Sequence, residues 1–311
     1  MFRLGRCTMT GWTEEHVPHL TEGTVAVVTG ANTGLGLDTT RVLARRGAAV
    51  VMACRNQDKA AAARRSLVDG GIDPGRLRTA SLDLADQASI AGFADALPDD
   101  RIDLLINNAG LMAVPRSSTV DGFETQFGVN HLGHMALTLR LLPRLNTTPG
   151  ARVVTLTSMG HRPGRIRLHD PNFRRGRYNR WTAYFQSKLA NMLFAAELAR
   201  RNEGRGALSL AAHPGYAVTE LGKDTGFQAR LLSVADRIAA QPSAAGAWPT
   251  LRAATDPAAV NGALYGPRRL VSGRAVRETP SRTARRADLA GRLWDLSLDL
   301  LSPAKVTDPL A

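Results

Sequence analysis

Tyr184 and Lys188 stand four residues apart in a stretch that reads as helix, so both side chains face the same way. A free tyrosine titrates near pH ~10 and is a poor base at neutral pH. An ammonium beside it favours the phenolate and lowers that value, which makes the phenol a usable acid and base. Ser158, just past the apolar run Arg152–Thr157, carries a hydroxyl that can donate to an oxygen gaining negative charge. Thr157 offers a second hydroxyl one residue earlier. Proton transfer at a carbonyl or alcohol oxygen is the chemistry these groups could do. Tyr178 has no lysine four residues on and reads as structural.

A second cluster could bind rather than react. Gly30, Asn32, Thr33, Gly34, Leu35 and Gly36 follow the apolar run Val25–Thr29 and open a helical pattern. Glycines there let the backbone approach a pyrophosphate, and a helix N-terminus supplies unpaired N–H groups. After the next apolar run comes Cys54-Arg55-Asn56, with no carboxylate at 54 or 55 to hold a ribose 2′-hydroxyl. Arg55 suits a 2′-phosphate instead, so NADP(H) is favoured over NAD(H).

Elements must hold these residues in place. Short apolar runs at Val25–Thr29, Ala48–Ala53, Leu77–Leu82, Ile102–Ile106, Arg152–Thr157 and Leu208–Ala212 alternate with helix-compatible stretches. Runs this apolar belong to a parallel sheet buried on both faces. The expectation is an α/β, doubly wound, single-domain Rossmann fold of about seven parallel strands with helices on both faces. Residues 1–23 read as an N-terminal extension and 24–311 as the domain. Helices inserted over about 222–257 precede a last strand near Ala263–Gly266, and the final helix, within about 283–301, is placed at Asp288–Leu301.

Composition narrows the function classes. Of the 40 basic residues only four are lysine, and the formal net charge is +13. That balance invites nucleic acid, but the chain has no recognised nucleic-acid motif and only 5% aromatics for stacking. Arginine enrichment of this kind is also what a GC-rich genome writes. No apolar run reaches the roughly 18 residues of a membrane span, and no secretory signal is visible. Two cysteines, Cys7 and Cys54, suit a reducing, cytoplasmic setting. The pairs His16/His19 and His131/His134 lack a completing carboxylate or cysteine, so no metal is expected.

In order, Asn107-Asn108-Ala109-Gly110, Asn130, Ser158, Tyr184-Phe185-Gln186-Ser187-Lys188 and Pro214-Gly215 with Thr219 resemble the short-chain dehydrogenase/reductase family. The resemblance spans roughly Thr24 to Leu301 and selects Ser158 over Thr157. It implies that Lys188 holds the nicotinamide ribose and that Asn130 anchors a proton-relaying water. It implies further cofactor contacts from Asp83, Leu84, Asn107, Ala109, Gly110, Tyr184, Pro214, Gly215, Val218 and Thr219. The 25 residues between Ser158 and Tyr184, with the Arg292–Ser297 stretch, are similar to retinol-dehydrogenase-like and protochlorophyllide-reductase-like members.

The resemblance implies hydride transfer on the 4-pro-S face, to or from the carbonyl or alcohol carbon of an apolar or bulky substrate, in a homodimer or homotetramer. Retinol itself is not carried over, because this chain lacks the membrane-anchoring N-terminus of the animal enzymes. Met112, Trp181 and Tyr216 are expected in the pocket wall, and Phe227–Ile238 in a mobile lid. Seven arginines at 162, 165, 167, 174, 175, 177 and 180 read either as a steering rim or as a solvated loop. The competing reading is a non-catalytic NADP-sensing or interaction module, which needs no catalytic set.

Overall fold

The computed structural model describes residues 11–215, 243–304 and 306–310. Its strands are β1 (Val25–Thr29), β2 (Ala49–Cys54), β3 (Leu77–Ser81), β4 (Leu104–Asn107), β5 (Arg152–Leu156), β6 (Leu208–Ala212), β7 (Leu264–Pro267) and β8 (Ala275–Glu278). They form one sheet in the order β3-β2-β1-β4-β5-β6-β7-β8. Strands β1 to β7 pair in parallel, and β8 returns antiparallel to β7.

The seven parallel strands match the expected sheet. The strand near Ala263–Gly266 is not the last, however. Gly273 lies just before β8, whose four residues alternate in burial at the sheet edge and carry little apolar signal.

Alternation explains the apolar runs. Val27, Leu105 and Val153 enter the core on one face, while Val28, Ile106 and Val154 enter the other. Helices α1 (Gly34–Arg45), α2 (Gln57–Asp69) and α8 (Trp248–Thr255) cover the second face. Helices α3 (Gln87–Ala96), α5 (Gly133–Thr147), α6 (Arg180–Arg201) and α9 (Ala287–Leu301) cover the first. The short helices α4 (Thr125–Phe127) and α7 (Ser243–Gly246) complete the set. Between α4 and α5 the chain makes a π-helical turn, Gly128–Leu132.

Helix α9 begins one residue before the expected Asp288 and lies along α6, with Trp294 stacked on Phe194 at 5.8 Å. Residues 11–23 lie against the sheet edge and α1. Trp12 exchanges two backbone hydrogen bonds with Ala275, and Arg41 pairs with Glu14 at 2.8 Å. Of the expected insertion, α7 and α8 are described. The Phe227–Ile238 lid lies outside the described residues, as do Tyr216, Val218 and Thr219. No helix among the described residues is long and apolar enough to cross a membrane.

Candidate active site

The strand order reverses between β1 and β4, and open α/β sheets bind ligands at such a point, beyond the carboxyl ends of their strands. The glycine turn leaves β1 there. Gly30 (φ 65°) and Gly34 (φ 52°) adopt left-handed backbone, which glycine takes without strain. A Cβ on Gly36 would lie 2.3 Å from the Gly30 carbonyl oxygen and 2.5 Å from Asn108 Nδ2, so only glycine fits. Helix α1 starts at Gly34 with no side-chain cap from Thr33 and no acidic residue in its first turn. That leaves first-turn N–H groups for an anion, and the cradle fits a dinucleotide pyrophosphate.

Asn108 braces this turn, a role its place in the Asn-Asn-Ala-Gly run did not reveal. Its Nδ2 donates to the Thr29 carbonyl at 2.7 Å. Thr29 Oγ1 accepts from the amides of Asn108 and Ala109, both at 2.9 Å. Asn107, by contrast, turns into the core. Its Nδ2 donates to Thr138 Oγ1 at 2.9 Å, and its buried Oδ1 has no partner.

Thr29 Oγ1 also meets His134 Nε2 at 2.9 Å, and His134 Nδ1 meets the Asn130 carbonyl at 3.0 Å. A carbonyl only accepts, so Nδ1 carries the proton and Thr29 donates to Nε2. Burial holds His134 down at about 4, which keeps the ring neutral.

Asn130 sits in the π-helical turn, a distortion that often marks functional positions. Its side chain pairs with Leu111 like a strand neighbour, Oδ1 accepting from the amide at 2.7 Å and Nδ2 donating to the carbonyl at 2.9 Å. Nδ2 also donates to Ser187 Oγ at 2.9 Å. A Cβ on Gly110 would stand 3.2 Å from Asn130 Oδ1 and 3.3 Å from Lys188 Nζ, so these groups converge on one backbone position.

Helix α6 is capped by Asn179, whose Oδ1 accepts from Trp181 N and Thr182 N at 3.0 Å each. One turn later Tyr184 and Lys188 share its buried face. The Tyr184 ring stands beside Ser158, a Cβ on Gly160 meeting Ser158 Oγ at 2.8 Å and the Tyr184 ring at 3.3 Å, and Ser158 Oγ accepts from Gly160 N at 2.8 Å. Lys188 Nζ lies 6.0 Å from the Tyr184 ring centroid and donates to the Leu156 carbonyl at 3.3 Å. Burial lowers Lys188 to about 8.

The phenol is where the geometry departs from expectation. Burial raises its pKa, and only the neighbouring Ser158 side chain opposes this. The ammonium is directed at a carbonyl rather than at the phenol oxygen, so desolvation wins.

Trp181 stands edge-on to Tyr184 at 6.3 Å and tilts against Phe185 at 6.0 Å. Met112 is half-buried just past Gly110, and Pro214 and Gly215 follow β6. Arg55 is exposed just past β2, with no ion pair among the described residues. Asp83 Oδ1 accepts from Ala85 N at 2.9 Å, and Leu84 is buried. Tyr178 donates to Glu124 Oε1 at 2.8 Å and accepts from Gln126 at 3.0 Å. In the arginine-rich loop, residues 162, 165, 174, 175 and 177 are exposed, while Arg167 lies over the Phe173 ring at 4.8 Å. No metal-ligating cluster occurs among the described residues.

Known proteins are similar to this chain. The sequence profile of the family described as short chain dehydrogenase matches residues 24–229. Human retinol dehydrogenase 13 is 39% identical over 293 residues, covering 90% of this chain and 85% of that one. Mouse retinol dehydrogenase 12 is 47% identical over 205 residues, 65% of this chain and 64% of that one. An uncharacterised protein from Mycobacterium paratuberculosis has a crystal structure that aligns with a TM-score of 0.81 at 45% identity. The alignment covers 96% of this chain and 100% of that one. A protein described as an NAD(P)-dependent gluconate 5-dehydrogenase from Beutenbergia cavernae, with NADP bound at low occupancy, aligns with a TM-score of 0.63 at 27% identity. That match covers 80% of this chain and 96% of the other. With its glycine cradle, its Ser–Tyr–Lys grouping and these relatives, the chain belongs to the short-chain dehydrogenase family, as a retinol-dehydrogenase-like, NAD(P)-dependent oxidoreductase.

Proposed function

We propose that this protein is an NADP(H)-dependent carbonyl reductase or alcohol dehydrogenase acting on an apolar or bulky substrate, with Tyr184 as its acid and base. The observation carrying the reading is the buried Tyr184 phenol beside the Ser158 side chain, with Lys188 one turn away on the same helix face. The glycine cradle and the uncapped start of α1 support a dinucleotide, and exposed Arg55 supports the 2′-phosphate. Thr219 and Val218 belong to the same proposed cofactor site.

A reduced nicotinamide held there would supply the hydride for the carbonyl carbon. Tyr184 gives its proton to the carbonyl oxygen, and Ser158 donates a hydrogen bond to that oxygen as charge builds. Lys188 holds the ribose hydroxyls and, as a cation, eases loss of the phenol proton. Asn130, clamped by Leu111 and Ser187, fixes the turn that carries the proton relay. In oxidation the phenolate takes the proton back. Trp181 and Met112 form an apolar wall beside the phenol.

The buried free thiol of Cys54 supports a cytoplasmic setting. Self-association as a homodimer or homotetramer has to use a surface other than the α6 face that α9 covers.

Tyr184→Phe tests the mechanism. Reduction of apolar aldehydes and ketones by NADPH should fall about 10³-fold, while NADPH affinity stays within about threefold. Turnover retained in that variant sinks the mechanism, and a wild-type protein that binds NADPH but reduces nothing in a broad panel favours a sensing module.

A further inference from the structure

The antiparallel strand β8 brings a carboxylate to the site from a part of the chain that carries none of the recognised motifs. Glu278 Oε1 accepts from His213 Nε2 at 3.1 Å, and Oε2 accepts from the Arg162 guanidinium at 3.4 Å. His213 follows β6, and its Nδ1 accepts from the Gly215 amide at 3.2 Å. That contact fixes the neutral ring with its proton on Nε2, aimed at Glu278. Arg162 follows the short turn Met159–His161, which holds Ser158 twice: Gly160 N donates to Oγ at 2.8 Å, and His161 Nδ1 donates to the carbonyl at 2.7 Å.

Space for the pair is built in. A Cβ on Gly266 of β7 would lie 2.2 Å from Glu278 Oε1 and 2.3 Å from His213 Nε2. The His213 side chain is fully buried, and that of Glu278 is 11% exposed. Gly215 (φ 71°) is seated against the turn after β7, where a Cβ would meet the Val271 carbonyl oxygen at 2.5 Å.

We propose that Glu278 is a positioning residue that ties the Ser158 turn to the Pro214–Gly215 turn, through Arg162 on one side and His213 on the other. The inference rests on the proposed function for what the two turns hold: Ser158 on the reacting oxygen and Gly215 beside the cofactor. The two arms differ in strength. The Arg162 arm is half-exposed and long, and contributes little. The His213 arm is buried, and losing its acceptor leaves an N–H unsatisfied.

Three variants separate the arms: Glu278→Ala, Glu278→Gln and Arg162→Ala. The probes are NADPH fluorescence for binding and 4-nitrobenzaldehyde for turnover. Glu278→Ala should weaken NADPH binding about tenfold and lower kcat. Glu278→Gln keeps an acceptor for His213, so NADPH affinity should return to within about threefold while kcat stays about threefold low. Arg162→Ala, on an exposed side chain, should match Glu278→Gln.

Hydrogen exchange supplies a readout that needs no substrate. In Glu278→Ala, amides of 159–162 and those of His213 and Gly215 should lose protection together while β3 keeps its own. NADPH binding within twofold of wild type in folded Glu278→Ala, or loss of protection spread evenly through the sheet, would overturn the proposal. A wild-type protein that fails to bind NADPH counts against the proposed function alone, because the exchange result still decides the coupling.

Discussion

Lys188 shows how far a single residue's environment can be read. Its spacing from Tyr184 is plain in the sequence, but its titration is not, because burial against β5 cannot be seen from residue types. Desolvation brings the ammonium down to about 8. The cation is therefore present below that pH and is lost above it. For reduction, kcat/KM for NADPH reports groups of the free enzyme. Measured by stopped flow from pH 6 to 10, it should decline above about pH 8 as Lys188 loses its proton. A flat profile to pH 10 would remove Lys188 from the proposed role. Arg55 gives the complementary test of cofactor choice. Arg55→Ala should weaken NADPH binding about 10- to 100-fold and leave NADH nearly unchanged. Equal losses for both cofactors in fluorescence titrations would refute a 2′-phosphate contact. At this scale the types and spacing of Ser158, Tyr184 and Lys188 were legible. The phenol's raised pKa was not, since it depends on where the ammonium points.

Elements explain why some site residues were visible and others were not. The glycine turn announces itself because its constraint is local: the turn must reverse tightly where β1 meets α1. Gly36→Ala should cost cofactor affinity at least about tenfold, since the new Cβ strikes the Gly30 carbonyl and Asn108. Thermal unfolding and an NADPH titration check this together, and a variant binding NADPH like wild type would show that the turn relaxes freely. Apolar runs made the inner parallel strands readable, because both faces of the sheet are covered and nearly all their positions are buried, edge strand β3 being the exception. Strand β8 lacks that signal, having one strand neighbour and a single bridge to Trp12, four residues and an Arg-Glu end. The carboxylate of Glu278 was hidden with it. The π-helical turn at Asn130 was equally silent, because its sequence is compatible with ordinary helix.

Across the whole molecule, the excess of arginine has a structural use that charge alone did not suggest. Arg144 donates to the carbonyls of Ala94 and Leu97 at the end of α3, Arg152 to those of Ala253 and Asp256 at the end of α8, and Arg140 to that of Ala304. These guanidinium groups satisfy orphan carbonyls at the ends of neighbouring chain segments. The histidines bind the molecule in the opposite sense, as buried neutral groups. His131 sits between Phe127 and Phe194 and donates from Nε2 to Ser297 Oγ of α9 at 2.9 Å. Burial brings it down to about 3, and His134 to about 4, from an ordinary 6.5. Unfolding releases both rings to water, where they take up protons near pH 6.5. Their contribution is therefore complete above that pH. It declines as pH falls towards 4, because the unfolded chain binds two protons that the folded one refuses. The expected slope is about 1.4 kcal/mol per pH unit for each ring, or roughly 2.7 for the pair. Urea unfolding at half-unit steps from pH 7 to 4.5 measures it. His131→Gln keeps a donor for Ser297 but cannot titrate, so it should remove one proton's worth of that slope. An unchanged slope would mean that His131 is already accessible to protons in the folded protein.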